Sequence, residues 1–143
     1  MNIGFEIKHL FFDRQAVISR VDPATHKVLS KFGAFVRRTA KGSIRNRQRP
    51  APPGSPPSSH TGLLKKFIFF GFDPDAQSVV IGPTRLDRRG RGDAPSLLEH
   101  GGATTLVRRG KRERAAYQAR PYMGPAFEKE QPMLPAMWRD SVR

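Results

Sequence analysis

The stretch KKFIFFGFDPDAQSVVIG, residues 65–82, decides the fold. Its two ends, 65–72 and 77–82, concentrate aromatic and β-branched residues, and Asp73-Pro74-Asp75-Ala76 between them supplies turn chemistry. The pattern predicts two antiparallel strands joined by that turn. Alternation along the first strand puts Phe67 and Phe69 on one face and Ile68 and Phe70 on the other, so both faces are apolar. One face then needs a helix over it and the other a neighbouring subunit. A base-stacking platform built from Phe67, Phe69, Phe70 and Phe72 is the competing reading. Sheet core is favoured because Phe32 and Phe35 offer a matching stripe upstream.

That stripe belongs to a helix. Asp13 supplies an N-cap oxygen, the helix begins near Arg14, and Val17, Val21, Ala24, Val28, Phe32, Phe35, Val36 and Thr39 follow at steps of three and four. Asp22-Pro23 reads as an N-cap followed by a first-turn proline, so a break or kink in the helix is expected there. A second, longer piece then runs over 23–41 and stops at Gly42. Its far side, Lys27, Lys31, Arg38 and Lys41, is basic. Ahead of it, alternation at Ile3, Phe5 and Ile7 suggests a short strand.

Residues 45–62, RNRQRPAPPGSPPSSHTG, hold five prolines and no apolar period, and read as an extended loop or arm. Residues 83–93 form a second, basic loop, and 94–100 one helical turn closed by Gly101-Gly102. A second hairpin is expected from 103–107 through Arg109-Gly110 to 113–119. At the end, Pro125 opens a short helix that Pro132 and Pro135 interrupt, leaving Trp138 on a last turn. The 143 residues fit one α+β domain: a long N-terminal helix, broken near Pro23, packed on a small antiparallel sheet, with long Pro-rich and basic loops and a short C-terminal helix.

Composition narrows the function. With no cysteine, disulfides, thiolate zinc sites and thiol nucleophiles are excluded. The longest strongly apolar run, 67–72, is far short of the ~20 residues that cross a bilayer, and no basic segment precedes an apolar leader at the N-terminus. A soluble protein used without secretion is expected, with no membrane partner. The four histidines (His9, His26, His60, His100) are widely spaced, no glycine pattern makes a phosphate loop, and no serine has a nucleophile-elbow context. Glu99-His100 beside Gly101 reads as ordinary helix C-terminal chemistry. Neither catalysis nor a cofactor nor a metal is expected.

The formal charge of +14 speaks of partners rather than fold. No acid lies between Asp22 and Asp73, and Arg37, Arg38, Lys41, Arg45, Arg47 and Arg49 crowd into thirteen residues. They form either a solvated face or a sequence-independent contact for DNA phosphate or acidic protein.

Several phrases in order, PPGSPPSSHTGLLKKFI from Pro52, LLEHGG from Leu97 and ARPYMGPAFE from Ala119, together with the basic N-terminal helix, resemble the tail-completion or head–tail joining (neck) proteins of long-tailed bacteriophages and prophages. The likeness covers roughly residues 14–143. It implies a non-enzymatic virion protein, assembled in the bacterial host cytoplasm, whose subunits close into a ring, expected to be a hexamer, at the neck or tail top. DNA would pass through that ring, and adjoining partners would be head-closure and tail-terminator or tail-tube proteins. Within it, loops 45–62 and 83–93, the latter through Arg85, Arg88, Arg89 and Arg91, are expected to touch neighbouring subunits or rings. The alternative class is a basic, sequence-independent nucleic-acid-binding protein of ribosomal type.

Overall fold

One helix organises the molecule. The computed structural model describes residues 14–84 and 94–141, so the expected strand at 3–7 lies outside the described residues. Helix α1 (Arg14–Ser43) carries Ala24, Val28, Phe32, Val36 and Ala40 at a spacing of four, all buried, and the next such position, Ile44, is buried just past its end. Val21, expected on this stripe, is exposed, and Phe35 lies at its margin, half-buried.

Of the break or kink expected at Pro23, the break does not occur: α1 runs through it as one helix. An interior proline costs about 3 kcal/mol in lost hydrogen bonding and ring contacts. Here Pro23 faces solvent, the side on which helices bend outward and tolerate it best, and the burial of Ala24 and Val28 directly after it offsets the loss. Gly42 does not stop the helix either. It lies in the last turn, and the helix ends at Ser43, whose hydroxyl donates to the Ala40 carbonyl at 2.8 Å.

On one flank of α1 lies the hairpin of β3 (Ile68–Asp73) and β4 (Ser78–Pro83), antiparallel with Phe70 opposite Ile81 and Phe72 opposite Val79. Lys65 and Lys66, expected in the strand, instead end a helical turn, α2 (Leu63–Lys66), whose Leu64 enters the core. The connecting turn is closed by Asp73, whose Oδ1 accepts the N–H groups of Asp75 (3.0 Å) and Ala76 (3.1 Å). Ile68, Phe70, Phe72, Val79 and Ile81 share the face turned to α1. Close approach is possible because α1 carries Gly33 here: a Cβ at that position would lie 2.9 Å from both Phe70 Cδ2 and Val79 Cγ2.

The other flank of α1 receives the C-terminal helices α4 (Met123–Glu130) and α5 (Leu134–Arg139), joined by a 3-10 turn. Phe32 and Phe127 meet edge to face at 5.7 Å, and the buried Glu130 accepts a short hydrogen bond, 2.5 Å, from Thr39 Oγ1. The core thus joins Phe32, Val36, Ala40, Ile44, Leu64, Ile68, Tyr122 and Ala126.

Helix α3 (Ala94–His100) ends at Gly101, whose N–H returns to the Leu97 carbonyl at 2.8 Å. It leads into the second hairpin, β5 (Gly102–Arg108) and β6 (Lys111–Tyr117), turned by Arg109 and Gly110, both at positive φ as a two-residue hairpin turn requires. The two hairpins do not join into one sheet.

Residues 45–62 carry little regular structure, as expected, but they are tied down. The two-residue strands β1 (Arg45–Asn46) and β2 (Ser58–Ser59) pair in parallel and close the loop at its base. Further out, Gly54 N–H donates to the Ala119 carbonyl (2.9 Å), and Arg120 Nε to the Ala51 carbonyl (2.7 Å). Ala51, Pro57 and Ser59 are buried. The segment is a strapped loop, exposed along its basic start, 45–50, and again at 52–54 and 60–61.

Candidate functional site

The six cations singled out in the sequence differ in burial and in what holds them. Arg37 is half-buried and structural: its Nε donates to the Ile68 carbonyl at 2.7 Å, and its guanidinium lies 5.9 Å from the Phe69 ring centre. Arg38 is exposed and stacks 5.0 Å over Phe35, on the same side of α1 as Lys27 and Lys31. Lys41 sits between these groups. Burial, then the positive charges of Arg37 and Lys65, push its pKa below the ordinary lysine value. Arg45, Arg47 and Arg49 are exposed, and among the described residues nothing engages their side chains. Arg85, Arg88, Arg89 and Arg91 lie outside the described residues.

The phrase LEHGG builds a joint. Glu99 Oε2 accepts the N–H groups of Tyr122 (2.9 Å) and Met123 (3.0 Å), and Oε1 accepts that of Gly124 (2.8 Å), so one carboxylate from α3 caps α4. A shallow cleft of about 270 Å³ opens beside it, lined by Pro83, Thr84, Pro95, Ser96, Glu99, His100, Tyr122 and Met123. Both oxygens of Glu99 are engaged by backbone donors, and His100 is exposed at the cleft's rim. His26 stacks edge-on to Phe72 at 4.6 Å. Among the described residues no cluster of three or more His, Asp or Glu side chains is placed to hold a metal, and no helix is long and apolar enough to cross a membrane.

Among the described residues two surfaces remain largely uncovered. The first is the outer face of β3–β4, where Phe69 is 45% and Val80 67% exposed. Sequence alternation pointed to this face, and α1 does cover only the opposite one. The second surface was missed. The β5–β6 hairpin makes no substantial contact with any other element, and its turn and flanks carry Arg108, Arg109, Lys111, Arg112 and Arg114 against one acid, Glu113. Its signal in the sequence is RRGKRER, residues 108–114, which the longer acid-free stretch 23–72 outweighs.

No family model matches the chain, and no curated protein and no solved structure matches it either.

Proposed function

We propose that this chain is a structural subunit of a bacteriophage virion, a ring-forming tail-completion or head–tail connector protein that joins the DNA-filled head to the tail. The ordered phrases that resemble the neck proteins support this reading, and one structural observation carries it. Among the described residues a helix covers the β3–β4 hairpin on one face only, and on the other Phe69, despite the Arg37 guanidinium over its ring, and Val80 stay exposed on a two-stranded sheet. Large apolar side chains on an uncovered strand pair are costly in a lone subunit and mark an association surface. A head-to-tail contact that closes by rotation makes such a surface useful without leaving free ends. Within such a ring, Arg45, Arg47 and Arg49 on the strapped loop would meet acidic surfaces of neighbouring subunits or of adjoining head-closure and tail-terminator proteins.

Mass photometry of the wild-type chain and of a Phe69→Asp, Val80→Asp double variant tests this. Rings are expected for the wild type and a folded monomer for the variant. A wild type that stays monomeric at low and high salt while retaining RNA would replace this reading with a basic nucleic-acid-binding protein of ribosomal type.

A further inference from the structure

We infer that the β5–β6 hairpin is a duplex-DNA contact element, in which Arg108, Arg109, Lys111, Arg112 and Arg114 meet the phosphate backbone without reading base sequence. The connector reading supplies only the place where DNA would be met. Binding itself needs no ring, so the two ideas fail separately.

Three observations converge. The tip of the hairpin stands away from the core, since its strands pair with each other over seven registered positions and, among the described residues, pack substantially on no other element, while the half-buried Thr104, Leu106, Ala115 and Tyr117 lie toward its base. Its cations are uncommitted: among the described residues no hydrogen bond, ion pair or ring contact engages the side chains of Arg108, Arg109, Lys111, Arg112 or Arg114. They are also arranged on all sides of the tip. Arg112 and Arg114 share one face, Arg108 and Lys111 face each other on the opposite one, which also carries the single acid Glu113, and Arg109 occupies the turn. Val107, 67% exposed, is the large apolar residue left open between them.

Shape and charge favour duplex DNA over an acidic protein. Protein interfaces are depleted of charge at their centre and built around apolar anchors, whereas this tip places five cations and one acid around one exposed valine. Same-face residues on a strand recur at roughly 7 Å, and paired strands lie about 5 Å apart. A ribbon of that width fits the DNA major groove, which is about 12 Å wide and admits two strands. Seated there, cations on both faces reach the two flanking phosphate backbones. The Arg109-Gly110 turn fixes the strand register, so the charges are presented as a set rather than as loose side chains.

The cations of α1 make a poorer candidate for this contact. Arg37 is spent on the Ile68 carbonyl and Arg38 lies over Phe35.

The test is fluorescence anisotropy with a labelled duplex of mixed sequence, using the full chain. One variant replaces Arg108, Arg109, Lys111, Arg112 and Arg114 by serine, and a control replaces Lys27, Lys31 and Arg38 by serine. Circular dichroism confirms that both remain folded. If about four phosphates are contacted, wild-type affinity falls roughly 10²-fold between about 50 and 200 mM salt. The hairpin variant is expected to lose at least that factor at the lower salt and most of the salt slope, while the control stays within a few-fold. Loss of affinity in proportion to charge in both variants would overturn the assignment in favour of diffuse attraction. So would tighter binding of poly-glutamate than of DNA through the same residues, which would make the partner an acidic protein.

Discussion

Glu99 fixes Gly124: its Oε1 accepts the Gly124 N–H at 2.8 Å while Oε2 takes the N–H groups of Tyr122 and Met123, so α3 is clamped to the first turn of α4. The carboxylate satisfies donors that a helix cannot satisfy itself and places negative charge at the positive end of the helix. Glu99→Ala is expected to cost about 2 kcal/mol, toward the upper end for losing a cap. Glu99→Gln, which keeps acceptor oxygen but not charge, should cost about half as much. Denaturant melts of the three proteins check both values and their order.

Tyr122 sits under that joint with its hydroxyl buried and unpartnered, and burial followed by the Glu99 charge pushes its pKa well above the ordinary 10.0. Below pH about 10 both folded and unfolded chains keep the phenol proton. Above it the unfolded chain releases the proton and the folded chain does not, so stability present in full below pH 10 declines as pH rises toward the folded pKa. Tyr122→Phe should remove this share of the alkaline loss. At neutral pH it should be neutral or stabilising by up to about 1 kcal/mol, because an orphan hydroxyl leaves the core. Paired melts of wild type and variant at neutral and alkaline pH measure both effects, and a loss above 1 kcal/mol at neutral pH would mean the hydroxyl has a partner.

Gly33 presents opposing effects in one residue. Alanine in a helix interior is about 1 kcal/mol better than glycine. Against that, a Cβ here would sit 2.9 Å from Phe70 and Val79, and overpacking of this kind costs typically 1–3 kcal/mol. Gly33→Ala is expected to be destabilising by about 1 kcal/mol, with Gly33→Leu far worse, as read by thermal unfolding.

On the opposite flank Phe32 is 2% exposed and meets Phe127 edge to face. Phe32→Ala should cost about 3–5 kcal/mol. A loss below 1 kcal/mol would mean that the α1–α4 contact does not form.

The elements that followed from local pattern were legible in the sequence. The β3–β4 strands announce themselves by alternation around Asp73-Pro74, and the α1 stripe by its spacing from Ala24 to Val36. What depended on distant partners was not. Glu99 caps a helix beginning 24 residues later, a relationship with no local signature. Arg37 looks like any surface arginine until Ile68 offers its carbonyl. Asp22-Pro23 is the same dipeptide whether a helix starts there or passes through, and only the burial around it decides. The cations of β5–β6 were readable as residues, but their prominence comes from the hairpin standing clear of the core.

The strap on the proline-rich loop gives the last prediction. Arg120 Nε holds the Ala51 carbonyl at 2.7 Å, its Nη1 reaches the Gln118 carbonyl at 3.3 Å, and the neighbouring Ala119 carbonyl takes the Gly54 N–H. Arg120→Ala leaves the Ala51 carbonyl without this donor, a cost of about 1–2 kcal/mol. The five prolines of 45–62 restrict the released chain, so detachment should be local and the melting temperature should drop by only a few degrees. Local opening governs proteolysis when reclosing is fast, and a 1 kcal/mol shift raises the open population about fivefold. Trypsin should therefore cut after Arg47 several times faster in Arg120→Ala than in wild type, with Arg120→Lys between them because lysine keeps a donor but not the rigid fork. Equal cleavage rates in all three would place the hold on the loop in the Gly54–Ala119 bond and the buried Pro57 and Ser59 instead.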